Sequence, residues 1–265
     1  KGTGTTTFRK GGGLTQTITD NTADPRQDLG ICQVSANGGA TTLAIGTAYG
    51  GERVRMTKLT VDAAQTLYMV GTHLMISGSG TGASRPFIMN GIFTPTDGAV
   101  YYHSTALTEV EATTYGNLYL HPEAASVTFR MGTASAQTIG VSGLTFAMSL
   151  AGGTADFNTY DPNMLIENEW AVYDVSNITK GSGTITFVGG GAFILDYNSV
   201  KQDMGVVAVL DAGGNASLQI DQGPVVMTSL SVGATDTFSM NGSNTLTLTG
   251  SGTPLSVTGN FVQST

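Results

Sequence analysis

The sequence predicts an all-β fold, a parallel β-solenoid of short strands, and three observations carry that reading. The first is composition. Only 11% of the 265 residues are charged, against about a quarter in ordinary soluble proteins, so the surface must consist of Thr, Ser, Asn, Gln and Gly. Thr and Val are β-branched and suit a pleated face, while 37 glycines without a collagen period read as turns. The second is a pulse of apolar-x-apolar pairs, each followed by a turn residue, with no helical period over ten or more residues. The third is a long internal repeat, the signature of stacked architectures.

The repeat fixes the order of the elements. A first copy spans 1–96, a middle β unit 97–179, and a second copy 180–265, read as one continuous elongated array. Lys1-Gly-Thr-Gly-Thr-Thr-Thr-Phe8 returns as Lys180-Gly-Ser-Gly-Thr-Ile-Thr-Phe187, Arg26-Gln-Asp-Leu-Gly30 as Lys201-Gln-Asp-Met-Gly205, and Leu43/Ile45 as Leu218/Ile220. The pairs Leu59/Val61, Leu67/Met69, Leu74/Ile76 and Phe87/Met89 match Leu230/Val232, Phe238/Met240, Leu246/Leu248 and Leu255/Val257. Period-two spacing puts each pair on one face of a strand.

The middle unit carries the same pulse at Leu118/Leu120, Val127/Phe129, Ile139/Val141 and Leu144/Phe146. Two insertions particular to copy one, Thr19 to Pro25 and Tyr49 to Arg53, are rich in turn residues and read as surface loops. Asn-Gly hairpin signals are few. The coiled arrangement is therefore preferred to the alternative of tandem β-sandwich units, which the same short strands also allow.

Several function classes fall away. A net charge of −8 with eleven scattered basic residues does not fit nucleic acid. No stretch approaches the roughly 20 apolar residues of a membrane span. The one cysteine, Cys32, alternates with apolar neighbours and corresponds to Val207, so it reads as a strand hydrophobe. The chain opens on Lys, which reads as a mature form or a fragment.

Candidate chemistry is sparse, and neither catalytic nor cofactor residues are assigned. His73, His103 and His121 have no zinc-ligand spacing, and His73 reads as a turn residue. Glu109/Glu111 and Glu167/Glu169 are paired carboxylates at i and i+2, which on a strand share a face; solenoid glycosidases use such pairs, but a solvated strand face is the commoner meaning. Hard oxygen ligands suited to calcium cluster in the 20–28 loop, with Asp20, Asn21, Asp24 and Asp28. A second group, Asp156, Asp161 and Asn163, lies in the 156–163 loop. Neither has an EF-hand or β-roll spacing, and Asx turns are the simpler reading. The exposed aromatic candidates are Tyr101-Tyr102-His103 and Tyr115/Tyr119. Because the copies match at core pairs and turns, a packing unit rather than a chemical site reads as duplicated.

The segments KGTGTTTF, RQDLG, TKLTVDAAQTL, SGSGT, YGNLYL and GSNTLTLTGSGTPLSVTGNF resemble a repeat of Thr/Gly-rich predicted surface proteins of environmental bacteria. The resemblance covers nearly the whole chain. It implies an exported, solenoid-like protein of adhesin or filament type, and its motifs carry no catalytic residue.

The expected function is that of a non-enzymatic extracellular or cell-surface structural protein, a subunit of a head-to-tail filament or fibre whose partner is a copy of itself. A terminal strand, 1–9 or 255–263, could be donated to make the joint. The alternatives are an adhesin or phage-fibre-like module that binds surface glycans and, less favoured, a polysaccharide-degrading enzyme. Ice binding through Thr-x-Thr ladders fits poorly, because the ladders do not recur coil after coil.

Overall fold

The computed structural model describes residues 4–9, 15–19, 28–36, 38–46, 53–149, 152–173, 177–198 and 200–263. Both copy-one insertions fall largely outside them. Among the described residues the chain is all β, with one 3₁₀ turn at Gly82–Ser84 and no α-helix. No helix is long and apolar enough to cross a membrane.

The chain winds as a parallel β-solenoid with three faces. Among the described residues strand pairing is parallel throughout, and most strands bond to the strands one circuit before and after them. One face is a ten-stranded sheet running from Arg53–Met56 to Asn260–Gln263, here termed the long sheet. At about 4.8 Å per strand it extends about 45 Å. Among the described residues the other faces are divided among shorter sheets of four, four, four, seven and two strands. Tandem sandwiches would need antiparallel pairing between neighbours, which these strands lack.

Inward residues stack in rows. In the long sheet Val54, Leu74, Val100, Leu118, Phe146, Trp170 and Ile194 occupy successive rungs, and all are buried. Each such side chain contributes about 1.5–3 kcal/mol by burial. The neighbouring row, Met56, Ile76, Tyr102, Leu120, Met148 and Val172, ends on a buried carboxylate, Asp196. There the ladder slips. Ile194 pairs with Ile220 but Leu195 with Gln222, leaving Asp221 as the extra residue of a β-bulge. Asp196 accepts the Asn198 N–H at 2.9 Å and faces Lys201 Nζ at 3.2 Å, although burial pushes its pKa up. Cys32 is buried in strand Ile31–Val34, and burial lifts its thiol to about 11.

The repeat is a repeat of structure. Strands Thr5–Phe8, Ile31–Val34, Lys58–Val61 and Phe87–Met89 form one sheet; their counterparts Thr184–Phe187, Val206–Val209, Ser229–Val232 and Leu255–Val257 form part of another, in the same order. The copies are nevertheless turned by one face. Thr42–Gly46 and Thr66–Val70 of copy one lie beside the long sheet, whereas their counterparts Ser217–Gln222 and Thr237–Met240 belong to it. The cause is the middle unit, whose eleven strands make three full circuits and two faces more.

A matched aspartate locks the corner of each copy. In copy one Asp28 Oδ1 accepts the Gly30 N–H at 2.7 Å, and Oδ2 accepts the hydroxyls of Thr57 at 3.0 Å and Ser77 at 2.9 Å. In copy two Asp203 takes the Gly205 N–H at 2.8 Å and the hydroxyls of Thr228 at 3.2 Å and Thr249 at 2.5 Å. Each carboxylate thus ties three consecutive circuits, with a cation beside it: Arg55 at 3.7 Å or Lys180 at 2.5 Å. So an acid is duplicated after all, and its work is packing. The same corners require Gly78 and Gly250, where a Cβ would meet the carbonyl oxygens of Thr57 and Thr228.

Burial alone would raise the Asp203 pKa, but Lys180, Thr249 and the Gly205 N–H together hold it below the usual carboxylate range. A depressed folded-state pKa gives stability that is present above the unfolded value, about 4, and lost as pH falls through the folded one. Asp203→Ala is expected to cost about 2 kcal/mol at neutral pH. The urea midpoint read from the emission of Trp170, the one tryptophan, measures this. The gap to the parent should narrow as pH falls below the ordinary aspartate range.

Candidate functional site

The outer face of the long sheet gathers several aromatic and titratable side chains that the core does not use. In its first third, Met75, Tyr101 and Tyr119 stand on consecutive rungs, pointing opposite to their buried neighbours. Tyr101 and Tyr119 stack at 4.3 Å with ring planes 4° apart. His73 meets Tyr101 edge-on at 5.1 Å, and His103 stacks on His121 at 4.8 Å. Glu123 closes this cluster, 2.9 Å from Arg55 Nη2 and 3.7 Å from His103 Nδ1. Three histidines distant in sequence thus share one patch. His73 is a strand residue of His73–Ile76, not a turn residue.

In the middle third the outward rungs are Ala147 and Ala171, both buried although they point away from the core. Neighbouring side chains close over them. Glu169 sits beside them, its Oε2 accepting the Thr145 hydroxyl at 3.1 Å and its Oε1 the Tyr173 hydroxyl at 3.4 Å. Burial raises its pKa, against the pull of those two hydrogen bonds. Tyr173 then stacks on Tyr197 at 5.4 Å and 10°.

The last third is a shallow groove. Gly191, Ala192, Phe193, Ser217, Gln219, Asp221 and Ser239 line it. Phe193, Gln219 and Ser239 are outward residues on three consecutive rungs. Beside it Asp221, outward like Ser217 and Gln219, accepts the side-chain amides of Gln219 at 3.1 Å and Asn241 at 3.0 Å on its Oδ1. The bulge leaves it as the extra residue of the ladder.

The sequence-predicted candidates meet different fates. Tyr102 and Tyr115 are fully buried, their hydroxyls 3.0 Å apart, with Tyr115 donating to the Glu111 carbonyl at 2.7 Å. Only Tyr101, His103 and Tyr119 of that expected patch face outward. Glu109 and Glu111 do not lie on a solvated face. Glu109 is buried, accepting the Tyr160 hydroxyl at 2.7 Å and the Gly82 N–H at 2.6 Å, with Arg130 at 3.8 Å. Glu111, past the end of strand Thr108–Val110, pairs with Arg85 at 2.6 Å. Burial still raises the Glu111 pKa. These carboxylates are committed to separate cations, an arrangement that joins circuits rather than flanking a glycosidic bond.

Glu167 and Glu169 are likewise parted. A bend at Glu167–Asn168 puts Glu167 in a shallow hollow with Thr114, Gly140 and Leu165 on a different sheet. Of the 20–28 loop only Asp28 is described, and it is the corner lock. In the 156–163 loop Asp156 caps its own turn through the N–H of Asn158 at 2.9 Å. Asp161 and Asn163 accept the N–H groups of Ser182 at 2.6 Å and Thr184 at 3.0 Å. Of the three, only Asp156 makes the Asx turn expected from sequence; Asp161 and Asn163 bond across circuits instead. Among the described residues no cluster of three or more His, Cys, Asp or Glu could hold a metal.

No protein-family model, curated protein or solved structure matches the chain. The site therefore rests on its own geometry. Sequence reading did not single out Phe193, Gln219, Asp221 or Asn241 as a group, and the one signal available was the sequence Ser217-Leu-Gln-Ile-Asp-Gln222, whose outward positions are all polar.

Because burial raises the Glu169 pKa, its ionised form opposes folding, and the cost appears as pH rises through the folded value. Glu169→Gln keeps an acceptor for Thr145 and removes that cost. The variant is expected to have a higher Tm than the parent at pH 7.5, with the difference vanishing below about pH 4. Equal differences at both pH values would contradict this.

Proposed function

We propose that the chain is a non-enzymatic structural segment of an extracellular or cell-surface fibre, one that lengthens by stacking copies of itself end to end. The observation that carries the reading is the last circuit. Its inward residues Leu246, Leu248 and Val257 are half-buried, while Leu255 and Phe261 are 41% and 44% exposed. They continue rows in which Val225, Met227, Leu230, Val232 and Phe238 are buried. Among the described residues the core stripe lies open past this circuit, and the backbone of Asn260–Gln263 pairs on one side only. An open β edge above an apolar stripe takes up a further strand readily. A head-to-tail contact of this kind does not close and gives filaments.

The joint proposed differs from the strand donation expected from sequence. Thr5–Phe8 pairs with Ile31–Val34, and Leu255–Val257 and Asn260–Gln263 pair with Ser229–Val232 and Thr237–Met240. The described parts of 1–9 and 255–263 are thus rungs of the chain's own solenoid, which favours edge-on-edge stacking. Stacking edge on edge replaces strand donation in the proposal.

Negative-stain images and sedimentation of the purified 265-residue chain test this. Filaments that grow with concentration are expected, and Phe261→Lys, at a half-exposed position, is expected to abolish them while leaving the far-ultraviolet circular dichroism unchanged. A monomer at all concentrations in the parent would overturn the proposal.

A further inference from the structure

The geometry points to a second property, independent of end-to-end stacking: the groove in the last third of the long sheet is a binding site for a neutral, hydroxyl-rich polysaccharide. Four observations converge on it. The first is an apolar strip. Phe193 and Leu195 alternate with the buried Ile194 and Asp196 on strand Ala192–Asp196, and the exposed Tyr197 follows directly past its end, so the three form one outward strip. At about 6.6 Å between alternate residues the strip is about 13 Å long. Tyr197 is 51% exposed, with Tyr173 stacked on one side of its ring. Flat rings in this setting pack against the C–H faces of pyranose units, joining an apolar body to polar surroundings.

The second is a row of polar groups beside the strip. Ser217, Gln219 and Ser239 line the groove and are half-buried, so they are held in place by the sheet instead of moving freely in solvent. The third is Asp221. Both amides that reach it, from Gln219 and Asn241, donate to Oδ1. Oδ2 is left for a ligand donor, and a carboxylate flanked by two amides offers the mixed donors and acceptors that vicinal hydroxyls require. The fourth is the bulge at Ile194/Leu195, which pairs Gln222 rather than Asp221 with Leu195 and so sets Asp221, already outward by alternation, off the ladder beside the groove.

Other ligand classes fit less well. A peptide strand cannot add here, because Ala192–Asp196 and Ser217–Gln222 are both paired on each side. A polyanion is disfavoured by Asp221 and by the net charge of −8. A shallow groove with an aromatic ring and a few placed polar groups suits a small neutral unit.

Titration calorimetry with neutral hexasaccharides tests the assignment, using a β-1,4-glucan, an α-1,4-glucan and a β-1,4-mannan, with a hexagalacturonate as the charged comparison. Saturable binding to at least one neutral oligomer is expected, weakened tenfold or more by Phe193→Ala and by Asp221→Asn, and unaffected by Tyr101→Ala at the far end of the sheet. The near-isosteric Asp221→Asn keeps the test valid if the phenylalanine variant folds poorly. Failure of all three neutral oligomers to bind, preference for the galacturonate, or binding unchanged in both groove variants would each overturn it. The monomeric Phe261→Lys protein should bind as the parent does, which separates this result from the fate of the filament proposal.

Discussion

Everything in this molecule depends on each inward side chain finding an apolar partner one circuit above and one below. Parallel backbone hydrogen bonds set that spacing, and they leave no freedom in register, since a slip by one residue would exchange the core and solvent faces of a strand. The length of the circuit is free by comparison. Eighteen residues separate Tyr101 from its partner Tyr119, while 28 separate Leu118 from Phe146. Strands are held to register and corners absorb the difference, which is how a sequence with uneven spacing still builds unbroken rows.

The scarcity of charge acquires a meaning from this arrangement. Many of the charged groups are spent between circuits rather than on solvent. Glu109, Arg130 and Asp156 stand on adjacent rungs as an alternating acid–base–acid ladder. Arg85 reaches Glu111, and Asp28 and Asp203 gather hydroxyls from three circuits each. Buried pairs of this kind add little net stability beyond what apolar residues would give, but removing one partner is costly. They favour one register over its neighbours, which a stack of similar Thr-rich strands otherwise specifies weakly.

The architecture was legible in the sequence to the extent that it is periodic. Leu59/Val61, Leu67/Met69 and their counterparts in the second copy are core pairs on the strands where their spacing placed them. Where meaning depends on parity, sequence was insufficient: Tyr101 and Tyr102 are neighbours, yet one stacks on the surface and the other is sealed in the core. Proximity across circuits was hidden as well. His103 meets His121 only because an 18-residue circuit carries one above the other, and Gln222 rather than Asp221 stands opposite Leu195 only because the ladder slips there. The paired glutamates misled for a related reason. Counting i and i+2 presumes a continuing strand, and the chain turns at Glu167–Asn168.

The eleven strands of the middle unit have a consequence for any attachment the repeat carries. Two like segments on one axis, offset by a single face of three, are related as steps of a spiral stair. Whatever a segment displays at a given corner is shown in a different compass direction by the next, and a row of such segments would serve partners all round its circumference instead of along one side. Symmetry of that kind arises from a remainder in strand count, with no change in any contact. A rod whose decoration precesses can meet a neighbouring surface in whichever orientation it arrives.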